Sequence, residues 1–355
     1  MSGIKVDYAK ERTIKRLAEK GDEISNFEIE QSDLLKVDGC NLCGSKETSL
    51  ITELYLNKEL NFFSTNVCND CLYTFRSVFP SFKWFEKCWS KIATDKLEVF
   101  NPEIEKIRKE RYQDYYNLLS EYINGSRVLD IGGAYGTGSM VFHDHGLKVE
   151  VIEPEDNKAN YIEKALGLKV VGRSIEEFLE KKADYDVVIF AHCLEHLDNP
   201  SLVMSNLDNI IKSDGIVYLE VPLLWNHVTW TDAFYLTHKS NFTEENLTDL
   251  INRNGFSVSK KVYPQHSKAE PVDLGLVLKR DKDVQRNAGL SKYYDVNDVI
   301  NMYRKNLPLE AIPPLDQVLR YSVDSIEHIY QTVRWDKKRI VPPKNPNDFI
   351  SFDNI

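Results

Sequence analysis

Apolar residues in the middle of the chain fall in short unbroken runs, with helical spacing between them. Arg127-Val128-Leu129-Asp130-Ile131 reads as a buried strand that runs into a glycine-rich turn, Gly132-Gly133-Ala134-Tyr135-Gly136-Thr137-Gly138, and then a helix. Val149-Glu150-Val151-Ile152-Glu153 is a second apolar strand ending in a carboxylate. Leu168 to Gly172 predicts a third strand and Tyr185 to Phe190 a fourth. A fifth follows the Asp214-Gly215 turn, over Ile216 to Pro222. Ahead of the first strand, Ile107, Tyr112, Tyr115, Leu118, Leu119 and Tyr122 are mostly three or four apart. This predicts a helix over Glu103 to Ile123 that leads into the first strand and covers whatever that strand helps to bind. Strands and helices alternating in this order specify an α/β fold: a mostly parallel, Rossmann-like sheet with helices on both faces.

The turn after the first strand has chemistry of its own. Glycine lacks a Cβ and tolerates positive φ, so the backbone there can pass close to a ligand. An acid at the end of the second strand, Glu153, can accept both hydroxyls of a ribose, which makes the expected ligand a nucleoside. The turn fits neither common nucleotide fingerprint. G-x-G-x-x-G counted from Gly136 meets Val141, and counted from Gly133 meets Tyr135; a Walker A loop needs a lysine before Ser139, where Gly138 stands.

What remains, Asp130-x-Gly132-x-x-x-Gly136, resembles motif I of class I S-adenosylmethionine (SAM) methyltransferases, with Ala134 at the position where glycine is usual. The resemblance covers roughly residues 115 to 280 and continues in order. Ser174 stands where relatives usually carry an aspartate toward the adenine amino group, with Ile175 beside it. Ala191-His192-Cys193-Leu194-Glu195-His196-Leu197-Asp198-Asn199-Pro200 is similar to the segment after strand four of many bacterial small-molecule methyltransferases. Tyr235 to Thr243, with Asn246-Leu247 and Gly255-Phe256, resembles the H-x-S-x-F-[ST] stretch of sugar-modifying members. The resemblance implies a SAM site built from Asp130, Gly132, Gly133, Ala134, Gly136, Glu153, Ser174, Ile175, Ala191 and His192. It implies an acid/base set of His238, His196 and Glu195. The loop after strand five should roof the acceptor pocket, with Trp225, His227, Trp230 and Tyr235 as substrate contacts.

Cys40-x-x-Cys43 and Cys68-x-x-Cys71 form a second, separate signal. Four thiolates at this spacing suit a tetrahedral structural Zn²⁺, each pair making a knuckle and the segment between them a hairpin; paired disulfides are the competing reading. Cys88 and Cys193 read as small buried apolar residues. A four-cysteine module ahead of a SAM domain resembles sugar methyltransferases of polysaccharide or antibiotic-sugar synthesis. The Y-H-E-H-x-x-Y-F stretch of the C-methylating members stands here as Tyr235-Leu236-Thr237-His238-Lys239-Ser240-Asn241-Phe242, with the last histidine kept and the glutamate lost. Abstracting a carbon-bound proton needs more than one acid/base group, whereas transfer to a hydroxyl needs one base, which His238 would supply. The expectation is thus methyl transfer to a carbohydrate hydroxyl, on a nucleotide sugar or a glycan. Sugar C-methylation, another small-molecule methylation, and a non-catalytic SAM-fold binding protein are the alternatives.

Charge narrows the partners. A net charge of −10 argues against nucleic acid as substrate, because phosphate binding wants a basic surface. No apolar run approaches the ~20 residues that span a bilayer, and without a secretory signal the chain is expected in the cytoplasm. The expected organisation is a helical or flexible lead-in (1–38), a zinc module (39–75), an aromatic or helical linker (76–114), the methyltransferase domain (115–280) and a helical extension with a tail (281–355). Leu315 to Val333 has helical spacing suited to core packing or a dimer contact. No carboxylate cluster for a catalytic cation stands out.

Overall fold

The computed structural model describes residues 30–56, 60–81, 83–84, 100, 102–224, 238–264, 273–284 and 294–306. Trp225, His227, Trp230, Tyr235, Cys88 and the stretch 315–333 lie outside the described residues. The strands are β1 (Leu34–Lys36), β2 (Thr48–Leu56), β3 (Leu60–Cys68), β4 (Thr74–Pro80), β5 (Arg127–Ile131), β6 (Lys148–Ile152), β7 (Lys169–Gly172), β8 (Tyr185–Ala191), β9 (Ile211–Pro222), β10 (Ser240–Asn241), β11 (Phe256–Val262) and β12 (Asp273–Arg280). The helices are α1 (Pro102–Leu119), α2 (Ser139–Asp144), α3 (Asp156–Ala165), α4 (Ile175–Phe178), α5 (Pro200–Asn206), α6 (Glu244–Arg253) and α7 (Val296–Asn306). They fall into two units. One takes in the chain to Leu97, Leu224–Asn241 and the part from Gly289; the other is Glu98–Leu223 with Phe242–Ala288.

The larger sheet lies in the second unit, in the order β11-β12-β9-β8-β5-β6-β7. β5 pairs in parallel with β6 on one side and β8 on the other, and the antiparallel pairs of this sheet are those that β12 makes with β9 and β11. The chain winds outward from β5 in both directions, so a topological switch point opens between β5 and β8; in such sheets ligands bind outside the carboxyl ends of the strands at that point. The central strands are apolar on both faces, as parallel strands covered by helices must be: Val128, Leu129, Val151, Val187, Val188, Ile189 and Phe190 are fully buried. Helix α1 buries Tyr112, Tyr115 and Leu119, spaced by three and four, against this core. Two details differ from the periodicity. The helix stops at Leu119, and Ile107 is exposed because it lies off the Tyr112–Tyr115–Leu119 stripe. Leu223 and Phe242, at the two ends of the excursion into the other unit, form an isolated parallel bridge.

Among the described residues the first unit holds α7 and a five-stranded sheet ordered β1-β4-β3-β2, with β10 also paired to β4. It corrects two expectations. Residues 34–36 are strand β1, held by register against Val78 to Pro80, and 74–80 form strand β4 where a linker was expected from 76. Phe75 and Phe79 bury there with Phe63 and Val67, so the aromatic residues pack a small sheet.

Candidate functional site

The glycine turn follows β5 at the switch point. Gly132, Ala134 and Gly136 all take positive φ (75°, 51° and 71°), an alternation that turns successive backbone groups to one side. The Ala134 N–H donates to Glu153 Oε2 at 2.9 Å and the Glu155 N–H to Oε1 at 3.0 Å, so the acid after β6 is locked onto the turn. Glu153 is 3% exposed, and burial pushes its carboxyl up to about 7 despite Lys158 and the two N–H donors. Gly133 is fixed by sterics: a Cβ there would sit 2.7 Å from Val151 Cγ1 and 3.1 Å from both Asp130 Oδ2 and Ser139 Oγ.

Asp130 is fully buried and accepts from Tyr112 Oη at 3.1 Å and from Ser139 Oγ. It therefore ties α1 and the start of α2 to the turn, and burial raises its pKa to about 6. The roles of Tyr112 and Ser139 escaped the sequence reading because neither spacing, 18 and 9 residues from Asp130, is a local pattern that marks a hydrogen bond to a buried acid. Ser174 caps α4, its hydroxyl accepting from the Glu177 N–H and donating to Glu176 at 2.8 Å; Ile175 is buried behind it. Its hydroxyl is thus engaged within the turn.

Beyond β8 the backbone kinks at His192, which has φ 53°, a conformation disfavoured for a side chain of this size. Its N–H donates to the Glu220 carbonyl at 2.9 Å. Three carboxylates surround the ring. Glu220 Oε1 lies 3.1 Å and Asp273 Oδ2 3.2 Å from Nε2, and Glu195 Oε1 lies 3.6 Å from Nδ1. Burial alone would lower the imidazole pKa, but the three acids outweigh it and hold the ring well above its ordinary value. Glu220 is in turn held by Tyr115 Oη at 2.8 Å and by Tyr218 Oη. Glu220 and Asp273 were missed in the sequence. Each is a lone acid in an otherwise apolar strand, Ile216-Val217-Tyr218-Leu219-Glu220-Val221 and Asp273-Leu274-Gly275-Leu276-Val277, and that pattern was the available signal.

Of the expected acid/base residues, Glu195 and His196 sit on the 3₁₀ turn Leu194–His196 after β8. Glu195 is buried beside His192, and His196 is half-buried. The rest of that stretch is helix initiation, since Asn199 caps α5 by accepting from the Leu202 N–H, with Pro200 at its first turn. His238 stands two residues before β10, in the unit that contains β4, and is half-buried. Cys193 is half-buried, not fully buried as expected, and its thiol is held well above the ordinary value, first by desolvation and then by nearby acids, which fits an inert residue.

The four paired cysteines converge in the first unit. Cys40 Sγ lies 3.7 Å from Cys71 Sγ, and Cys43 Sγ 3.6 Å from Cys68 Sγ, and all four are free thiols. The two knuckles repeat one backbone pattern. Gly44 and Leu72 both have positive φ and donate to the carbonyls of Cys40 and Cys68, whose own N–H groups donate to Ser45 and Tyr73. A tetrahedral Zn²⁺ with bonds of about 2.3 Å needs sulfurs about 3.8 Å apart, so the residues fit the ion.

The sheet order and the Glu153-locked turn are those of a Rossmann-like domain with a nucleoside-sized site at its switch point. Residues 104–261 match the family model described as a methyltransferase domain. Sarcosine/dimethylglycine N-methyltransferase from Aphanothece halophytica is 27% identical over 107 residues, which cover 28% of this chain and 39% of that protein; the match thus spans about two fifths of the curated relative. Among solved structures, a SAM-dependent methyltransferase from Archaeoglobus fulgidus aligns with TM-score 0.40 and 20% identity, over 50% of this chain and 97% of that one. The 1,6-didemethyltoxoflavin-N1-methyltransferase of Burkholderia thailandensis, solved with bound 1,6-didemethyltoxoflavin and S-adenosylhomocysteine, aligns with TM-score 0.45 and 16% identity, over 64% of this chain and 99% of that one.

Proposed function

We propose that this chain transfers a methyl group from SAM to a hydroxyl of a carbohydrate, either a nucleotide sugar or a glycan. The observation that carries the SAM reading is Glu153, a buried acid at the switch point whose two oxygens are anchored by the Ala134 and Glu155 N–H groups. Each oxygen keeps a lone pair to accept from a ribose hydroxyl. Gly132, Gly133 and Gly136 let the turn approach the nucleoside, and Asp130 holds the turn in shape through Tyr112 and Ser139. With its hydroxyl committed to the α4 cap, Ser174 leaves the adenine edge to backbone groups around Ile175. Ala191 and His192 line the methionine end.

SAM supplies a methyl group already activated on a sulfonium. The protein's task is to align the acceptor oxygen with the S–CH3 bond and to remove its proton. His238 is the base in this reading, with Glu195 and His196 shaping the pocket and Trp225, His227, Trp230 and Tyr235 contacting the sugar. The carbohydrate acceptor rests on the H-x-S-x-F-[ST] resemblance around His238. Cys40, Cys43, Cys68 and Cys71 hold a structural Zn²⁺, their four positions being filled by protein ligands.

Calorimetry of SAM and S-adenosylhomocysteine on the purified, zinc-loaded chain tests the cofactor reading, with micromolar binding expected and no binding rejecting it. Product NMR after incubation with nucleotide sugars tests the acceptor reading. An O-methyl resonance supports it, and a C-methyl or N-methyl product overturns it.

A further inference from the structure

The acids around His192 come from three elements: Glu195 from the turn after β8, Glu220 from β9 and Asp273 from the start of β12. None is more than 5% exposed. A protonated Nε2 carries one hydrogen, yet two carboxylate oxygens stand at 3.1 and 3.2 Å from it, and one proton cannot serve both well. The spacing suits something larger. A cation with bonds of about 2.1 Å to ligands at right angles holds the ligand atoms about 3.0 Å apart. One ligand atom from each of His192, Glu220 and Asp273 lies within 4.8 Å of the others.

Glu195 provides an independent observation. It is 1% exposed, and neither carboxylate oxygen accepts a hydrogen bond among the described residues. Its Oε1 faces His192 Nδ1 from 3.6 Å, just beyond hydrogen-bond reach. A buried carboxylate left without a donor is costly. A histidine that ligates a metal through one nitrogen characteristically donates its other N–H to a carboxylate, which fixes the tautomer and ring orientation. Glu195 stands where that partner belongs, and the hydroxyls of Tyr115 and Tyr218 orient Glu220 in the same way.

We propose that His192 Nε2, Glu220 and Asp273 form a binding site for one divalent transition-metal cation, with Glu195 orienting the histidine. One imidazole and two carboxylates, without sulfur, suit Mn²⁺ or Fe²⁺, and three ligands leave coordination positions open. The site lies at the carboxyl ends of β8 and β9, on the side of the sheet where ligands bind. The cation's role there, binding the acceptor oxygen and lowering its pKa, rests on the methyl-transfer reading; the site itself does not.

The test is titration of the full zinc-loaded chain with Mn²⁺, followed by electron paramagnetic resonance. One Mn²⁺ per chain is expected, with a coupling from a single imidazole nitrogen. Asp273→Asn should weaken binding at least tenfold, and Glu195→Gln should weaken it about ten- to a hundredfold, as expected when a ligand loses its orienting partner. Absence of stoichiometric Mn²⁺, bound Mn²⁺ without nitrogen coupling, or unchanged affinity in a folded Asp273→Asn protein would each overturn the proposal. If that variant does not fold, the nitrogen coupling of the wild-type protein decides alone. Mn²⁺ binding by a chain that takes up no SAM would leave the metal site standing and reject methyl transfer; the reverse result would do the opposite.

Discussion

The buried acid that grips the glycine turn makes cofactor affinity a function of pH. Glu153 titrates at about 7, chiefly because it is buried, while ribose hydroxyls donate to its ionised form. At pH 5.5 a group with that pKa is about 3% ionised, so the SAM dissociation constant should be roughly thirtyfold larger than its high-pH limit. Affinity should level off above about pH 8, and binding near neutrality should release protons. Glu153→Gln removes the titration. It should flatten the profile and, through loss of charged hydrogen bonds of about 1.5–3 kcal/mol, weaken binding at pH 8 on the order of ten- to a hundredfold. Stability moves the other way. The folded pKa lies above the unfolded value of 4.5, so the folded chain holds this proton more tightly. That contribution is complete below about pH 4.5 and is lost as pH rises through 7, about 3 kcal/mol in all. Calorimetry from pH 5.5 to 8.5, in buffers of differing ionisation enthalpy, measures affinity and proton count together. The difference between wild type and Glu153→Gln cancels titration of the ligand's own amine. A wild-type profile as flat as the variant's would refute the reasoning.

Other outcomes follow from the same geometry. Gly133→Ala drives a methyl into Val151 and the Asp130–Ser139 pair, which should cost about 1–3 kcal/mol of stability and abolish detectable SAM binding; thermal melts and calorimetry check both. His238→Ala should lower turnover about 10²- to 10⁴-fold while leaving SAM affinity nearly intact, and equal losses of both would remove it as the base. Elemental analysis should find one zinc per chain. Cys68→Ser should lose the metal and the structure of the β2–β3 hairpin, as read by hydrogen exchange, with SAM binding serving as a check on the other unit.

Local chemistry was readable in the sequence and long-range pairing was not. The runs around Val128, Val149 and Val187 announce parallel strands because both faces are covered, and Asp130-x-Gly132 with Glu153 marks the turn because sterics and ribose chemistry act over a few residues. Thr243 followed by Glu244-Glu245 is a local helix-cap signal of the same kind, and α6 begins there with Asn246 completing a capping box. By contrast, β10 is two residues long and too short for any periodicity, yet it pairs Ser240 and Asn241 with Phe75 and Thr74. That pairing assigns residues 238–241 to the first unit, although the motif around His238 had read as one continuous stretch of the methyltransferase domain. The acids around His192 were hidden for a similar reason. Asp273 reaches them only because β12 lies antiparallel on β9 in a register that puts Asp273 opposite Pro222 and Gly275 opposite Glu220.

The bridge between Leu223 and Phe242 sets a lower limit on what evolution or an engineer can remove. Two segments meeting head-to-tail can be joined by a pair of residues, but segments running the same way require a return path of about a dozen or more. Residues 224–241 therefore cannot be trimmed to a tight turn while the bridge survives. Deletions short of β10 should be tolerated for a few positions and then fail abruptly. Insertions should meet only the slow logarithmic rise of closure entropy, so this stretch can lengthen far more easily than it can shrink.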